Sequence, residues 1–225
     1  DTFMWRLQRG EEIILGDTGY HEEDASARGR PIRLNPVEAL APFGITPDAI
    51  THIIVTHLHY DHAGGLHLFP NATLHMQAAE MAFATGPCMC HDTLRAPFTA
   101  GHVCEAIQRL YSGKVRFYEG DAEVSEGIGG HSRGLQAVRV RTQAGWMVLA
   151  SDAAHYYENV FSNKPFPIVV DLQNMQDGFE ILKRLASEPG LIIPGHDPLV
   201  RSFFPQDLTP FIHRLDVGPT GFSVP

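Results

Sequence analysis

The sequence predicts a layered α/β domain, on three observations. Short apolar, β-branched runs of strand length recur along the chain. Amphipathic stretches with helical spacing fall between them, and no repeat or linker interrupts the series. The 225 residues are enough for one sizeable domain with its own core. That single domain is expected to span 1–225.

Each element has a local reason. Thr2–Leu7 and Glu12–Leu15 read as two strands joined by a turn at Arg9-Gly10. Asn35 to Phe43 reads as a helix, with Asn35 as N-cap, Pro36 at the first position and Gly44 at the stop. His52–Thr56 is apolar and β-branched, as a buried strand would be, and Ala72–His75 reads as another. Gln77–Thr85 and Ala100–Tyr111 look helical, and Val115–Tyr118, Leu135–Val140 and Trp146–Ala150 look extended. Asp171–Ser187 is the clearest helix. Leu172, Met175, Phe179, Leu182 and Leu185 recur at steps of three and four, Asp171 caps the start, and Gly190 lies past the end. Leu191–Ile193 is a last short strand.

Composition excludes several roles. The net charge of −9 repels phosphate backbones, so no nucleic-acid partner is expected. No apolar run approaches the ~20 residues of a membrane helix, and no secretory signal pattern is visible. Three cysteines, Cys88, Cys90 and Cys104, make no disulfide framework and suit a reducing compartment, so a cytoplasmic location is expected. Cys88 and Cys90 lack the spacing of a metal clip and are given a structural or pocket-lining role.

The chemistry collects at strand ends. Asp17, His57, Asp152 and His196 each follow an apolar strand, and layered α/β folds gather their sites outside such ends. His131 differs, sitting in the Gly-rich turn Gly129–Gly134. The stretch Thr56–Gly65 places His57, His59, Asp61 and His62 within six positions. His57 and His59 point the same way in an extended segment. Asp61 and His62 follow across a turn, and Gly64-Gly65 is expected to let the backbone bend behind them. Imidazoles and a carboxylate are the usual ligands of zinc and similar metals. Four in six residues are too many for one catalytic ion with an open position, and suit two ions completed from elsewhere.

In this stretch the chain resembles the metallo-β-lactamase fold family. His57-Leu58-His59-Tyr60-Asp61-His62 matches its H-x-H-x-D-H motif. Asp17-Thr18-Gly19, Gly130-His131-Ser132, Ser151-Asp152 and Pro194-Gly195-His196 match its other stations, in order. The resemblance implies an αββα sandwich with the site along one sheet edge. It implies that His57, His59 and His131 hold one metal and that Asp61, His62 and His196 hold a second. Asp152 would bridge the two, and Asp17 would orient the histidine loop. The cofactors implied are two divalent ions, zinc first among them.

Two departures stand out. Family members carry a strand between the preceding Gly-Ile and the G-H-S/T loop, whereas Glu126-Gly127-Ile128 runs straight into Gly129-Gly130-His131. They also carry an N-terminal strand and loop ahead of the point where this chain starts. Residues omitted from the numbering are the expected reason; a genuine shortening would leave His131 short of the metal.

Five histidines with Asp61 favour hydrolysis by a hydroxide shared between two ions. Asp61 or Asp152 would carry the proton to the leaving alkoxide. The stretch Ser151–Asn159 is similar to the D-A-x-x…E-N segment of N-acyl-homoserine lactonases, which place a tyrosine three positions after the aspartate. Here His155 holds that position and Tyr156 and Tyr157 follow, so any of the three is a candidate for the substrate carbonyl. A small lactone is thus the expected partner and quorum quenching the expected role, with a homodimer left open. The alternatives are a thioesterase of the hydroxyacylglutathione hydrolase kind, a β-lactamase, a phosphodiesterase or nuclease, a single-iron thiol dioxygenase and a non-catalytic binding protein. Met81, Phe83, Met89 and Phe98 could wall an acyl pocket, though core packing is the simpler role.

Overall fold

The computed structural model describes residues 1–122 and 125–224, so the expectation of one domain over 1–225 extends to three residues outside the described ones. The chain divides into two units, Thr2–Tyr118 and Glu119–Pro225, the latter joined by Asp1. Each unit holds one sheet and one apolar core.

In the first unit, β1 (Trp5–Arg9) and β2 (Glu12–Gly16) form the antiparallel hairpin expected at Gly10. Helix α1 (Glu22–Ala27) has no strong sequence signal. His21 caps it by accepting the Glu23 N–H, and three acidic residues in its first turn suit the helix dipole. Helix α2 (Pro36–Leu40) starts in a reciprocal capping box between Asn35 and Glu38 and ends through a 3₁₀ turn at the left-handed Gly44. Then come β3 (His52–Ile54), β4 (Thr73–Gln77), α3 (Ala78–Ala84), α4 (Asp92–Arg95), α5 (Ala100–Tyr111) and β5 (Val115–Tyr118). The sheet order is β1-β2-β3-β4-β5, and every pair after the hairpin is parallel. Leu15, Ile53, Leu74 and Met76 pack with Leu58, Leu66 and Phe69 in the core. Strand β3 stops before Thr56 because the Thr56 N–H is taken by the Asp17 carboxylate at 2.8 Å. The buried Arg109 of α5 donates to the carbonyls of Leu66, Phe69 and Ala72, fixing the turn that follows the histidine loop.

In the second unit, β6 (Ser125–Gly127), β7 (Gln136–Thr142) and β8 (Gly145–Ser151) run antiparallel. After α6 (Tyr157–Phe161) and α7 (Leu172–Leu185), β9 (Ile192–Pro194) returns parallel to β8, before α8 (Leu199–Phe203). Asp171 caps α7 as expected, accepting the Asn174 N–H. Met175, Phe179, Leu182 and Leu185 are buried, whereas Leu172 is exposed. The helix ends at Leu185, short of the expected Ser187, because Ser187 instead exchanges hydrogen bonds with Trp146. Among the described residues no helix is long and apolar enough to cross a membrane.

Candidate metal centre

In the first unit the histidine loop hangs from Asp17. That residue closes β2 in a left-handed backbone conformation (φ 57°), a region that Asp tolerates better than most side chains. Its Oδ1 accepts the Thr56 N–H at 2.8 Å, and its Oδ2 accepts the Thr56 hydroxyl at 2.7 Å and His62 Nδ1–H at 2.8 Å. The expected orienting role of Asp17 is thus visible as geometry. The carboxylate can only accept, so the neutral His62 ring carries its proton on Nδ1 and a lone pair on Nε2. The Thr56 hydroxyl has already donated to Asp17. Its oxygen therefore accepts from His57 Nδ1 at 3.1 Å, and the His57 lone pair also falls on Nε2.

Three imidazoles gather there. The His57 ring lies 4.2 Å from that of His62 and 4.4 Å from that of His59, and Asp61 Oδ1 is 3.8 Å from His62 Nε2. All four side chains are largely buried. The two glycines behind them do not work as a flexible bend. Gly65 has an ordinary φ of −95°, and neither glycine has a positive φ. What they allow is close approach: a Cβ on Gly64 would lie 2.2 Å from His21 N, and one on Gly65 would lie 2.4 Å from the Thr18 carbonyl oxygen. The Gly64 N–H donates to Gly19 O across this contact.

In the second unit Asp152 lies just beyond β8, after Ser151, which is itself left-handed (φ 49°). Gly195 reaches back from the end of β9 and donates to the carbonyls of Ser151 and Ala154. Three imidazole Nε2 atoms converge on the Asp152 carboxylate. His131 and His155 reach Oδ2 at 3.2 and 3.1 Å, and His196 reaches Oδ1 at 3.0 Å. The short segment before His131 therefore does not keep it from Asp152. Nδ1 of His131 donates to the Ile168 carbonyl at 2.8 Å, and Nδ1 of His196 donates to the Asp1 carbonyl at 2.6 Å. Carbonyls only accept, so both neutral rings turn a lone pair, not an N–H, toward a carboxylate oxygen. Neutral rings placed in this way hold a carboxylate and two lone pairs at the separation of neighbouring ligands on one metal ion. The donor set of imidazole nitrogen and carboxylate oxygen is that of zinc and its neighbours. His131, Asp152 and His155 offer ligand atoms all within 4.8 Å of one another, so the residues fit a metal.

His155 stacks flat on Phe166 (3.8 Å between ring centroids, 12°). Burial lowers its pKa, and His131 and His196 add to that, while Asp152 pulls the other way. Tyr156 is partly exposed at the start of α6. Tyr157 is fully buried among Phe161, Phe203 and Phe222, so of the three candidates it is the one that packs the core. Phe98 stands edge-on to the His59 ring at 4.7 Å, and Phe83 packs against Phe98. The sequence gives no sign of two supports. Glu80, wholly buried on α3, accepts the Leu58 N–H at 2.9 Å inside the motif. Asp197 accepts the N–H groups of Tyr157 and Leu199, tying α6 and α8 to the end of β9. Both look like ordinary solvated acids in the sequence. The three cysteines are free.

A family model described as the metallo-beta-lactamase superfamily matches residues 1–196. The chain belongs to that superfamily, its mixed α/β fold is that of its members, and it is a metallo-hydrolase. Among curated proteins it is similar to an N-acyl homoserine lactonase of Bacillus cereus, 30% identical over 216 residues, which cover 87% of this chain and 80% of the relative. It is also similar to one of Bacillus thuringiensis, 31% identical over 170 residues, 72% of this chain and 61% of the relative. A solved N-acyl homoserine lactone hydrolase, with the product N-hexanoyl-L-homoserine at its catalytic metal centre, matches with a TM-score of 0.69 at 26% identity, covering 88% of this chain and 82% of that one.

Proposed function

We propose that this metallo-hydrolase opens the ring of a small lactone, an N-acyl homoserine lactone first of all. The observation that carries the reading is the Asp152 carboxylate, faced by two imidazoles whose protons are held elsewhere. That arrangement fits a metal ion, and the lactonase relatives support the choice of substrate. His57, His59 and His131 are assigned to one ion, Asp61, His62 and His196 to a second, and Asp152 to both, within a single hydrolase domain. Zinc is the proposed metal, on the chemistry of the donors. Bound there, two ions supply Lewis acidity toward the lactone carbonyl and a water acidic enough to attack at neutral pH. Asp61 or Asp152 takes the proton of the attacking water and returns it to the ring oxygen as it leaves. Tyr156, with its side chain partly in solvent, is assigned the hydrogen bond to the carbonyl, while His155 is held against Asp152.

The test is a panel of acyl homoserine lactones, simple γ- and δ-lactones, a thioester, a cephalosporin and a phosphodiester, run beside metal analysis. About two metals per chain and turnover confined to lactones are expected, with Asp152→Ala and His59→Ala inactive. Preferred turnover of the thioester would transfer the site to the hydroxyacylglutathione hydrolase kind. A single iron would overturn the mechanism.

A further inference from the structure

His155 lies three positions after Asp152, and its Nε2 lies 3.1 Å from Asp152 Oδ2. The same oxygen is 3.2 Å from His131 Nε2. Those two separations match the edge of a metal coordination shell. Atoms that each lie ~2.0–2.1 Å from one ion, as neighbours in its shell, are about 3 Å apart. Without an ion, His155 has an ordinary role open to it, with Nε2–H donating to Asp152. The neighbouring ring bears on that choice. His131 carries a proton on Nδ1, against the Ile168 carbonyl, so in the neutral ring its Nε2 lone pair faces the Asp152 oxygen, as two ligands of one ion do. An ion bound to those two atoms is within reach of His155 Nε2, because all three ligand atoms lie within 4.8 Å of one another. A proton on that nitrogen would then point at a cation. Moving the proton to Nδ1 turns repulsion into a bond. Among the described residues Nδ1 has no hydrogen-bond partner with either placement of the proton, so Nε2 decides the tautomer. Phe166, stacked on the ring face, leaves the imidazole little room to swing away.

We propose that His155 is a metal ligand, a fifth protein donor, beside His57, His59, His131 and Asp152, to the ion assigned to them, in place of a hydrogen-bond donor to substrate. This rests on the reading of Asp152 as a metal-bridging residue. It leaves the carbonyl contact to Tyr156. It also makes the ion at His131 richer in nitrogen donors, and so a weaker Lewis acid, than the fold's five-histidine pattern alone would make it.

The test is proton NMR of the full chain loaded with cobalt(II). Each imidazole bound through one ring nitrogen contributes one exchangeable, strongly shifted N–H resonance from the other. The proposal expects about six such signals, from His57, His59, His62, His131, His196 and His155. One should vanish in His155→Gln and in His155→Tyr, and cobalt affinity should fall about tenfold or more. Five signals in the unsubstituted protein with two cobalt ions bound would overturn this assignment and leave the two-metal reading intact. Failure to take up cobalt would overturn that reading and the inference with it. The count in the unsubstituted chain decides the matter even if a variant folds poorly.

Discussion

Replacing Asp17 with Asn changes one oxygen to an NH₂ group and reverses the direction of the hydrogen bonds at that atom. Asn adopts a φ of 57° readily, so the backbone at the end of β2 is not disturbed. One orientation of the amide sets its NH₂ against the Thr56 N–H, a donor facing a donor with no remedy. The other keeps that bond but sets NH₂ against the Thr56 hydroxyl and His62 Nδ1. The hydroxyl can rotate. His62 can respond only by moving its proton to Nε2, which removes the lone pair assigned to the metal. Hydrogen bonds to a charged group contribute about 1.5–3 kcal/mol each, so with partial recovery a loss of about 2–3 kcal/mol in unfolding free energy is expected. Orienting partners of metal ligands contribute about 10–100-fold in affinity, or about 1.4–2.8 kcal/mol. The assays are chelator competition for the more weakly held metal equivalent and nitrogen-15 NMR of the His62 tautomer. Undiminished affinity, with the His62 proton still on Nδ1, would refute the reasoning.

Further outcomes test other parts of the structure. Tyr157→Phe removes a buried hydroxyl that lacks a hydrogen-bond partner among the described residues, so stability should hold within about 1 kcal/mol and turnover should not change; Tyr156→Phe should lower kcat about tenfold, and the reverse pattern would reassign the substrate contact. Gly64→Ala drives a methyl into the backbone of Tyr20 and His21 and should cost about 3 kcal/mol in urea unfolding, whereas Gly101→Ala on α5 meets nothing within 4 Å and should gain about 0.5 kcal/mol. His75 bridges His52 Nδ1 and the Tyr118 hydroxyl, and burial, with His52 and Arg116 nearby, pushes its pKa down from 6.5 to about 4. Between these values the unfolded chain binds the proton and the folded chain does not. Stability contributed by this group should therefore fall as the pH drops from 6.5 toward 4, and His75→Gln should flatten that slope in urea midpoints measured across the range.

The spacing of His57, His59, Asp61 and His62 was enough to propose metal chemistry, because ligand identity is written in the residue types. Their protonation was not legible. It depends on the Ile168 and Asp1 carbonyls and on which oxygen the Thr56 hydroxyl chooses, none of which leaves a mark in sequence. Strand ends could be placed to within a few residues, since apolar runs end where the side chains meet polar partners. Helix α1 escaped notice because its cap is a histidine, a residue rarely read as one. Glu80 escaped because a helical glutamate reads as solvated until a main-chain N–H is found on it. The glycine pair was read rightly as necessary but for a different cause, close packing against the 18–21 turn in place of a bend.

The glycine before His196 has a consequence for how the centre is loaded. A Cβ there would lie 2.7 Å from Asp152 Oδ1 and 2.8 Å from the Ser151 carbonyl oxygen. The carboxylate thus backs onto main chain, which cannot rotate aside as a side chain would. It has no room to recoil toward Gly195 when an ion is absent, nor far to travel when one arrives. Little of the binding free energy is then spent on rearrangement. The smallest possible side chain at position 195 behaves as a backstop, and even an added methyl group would register as a displaced negative charge.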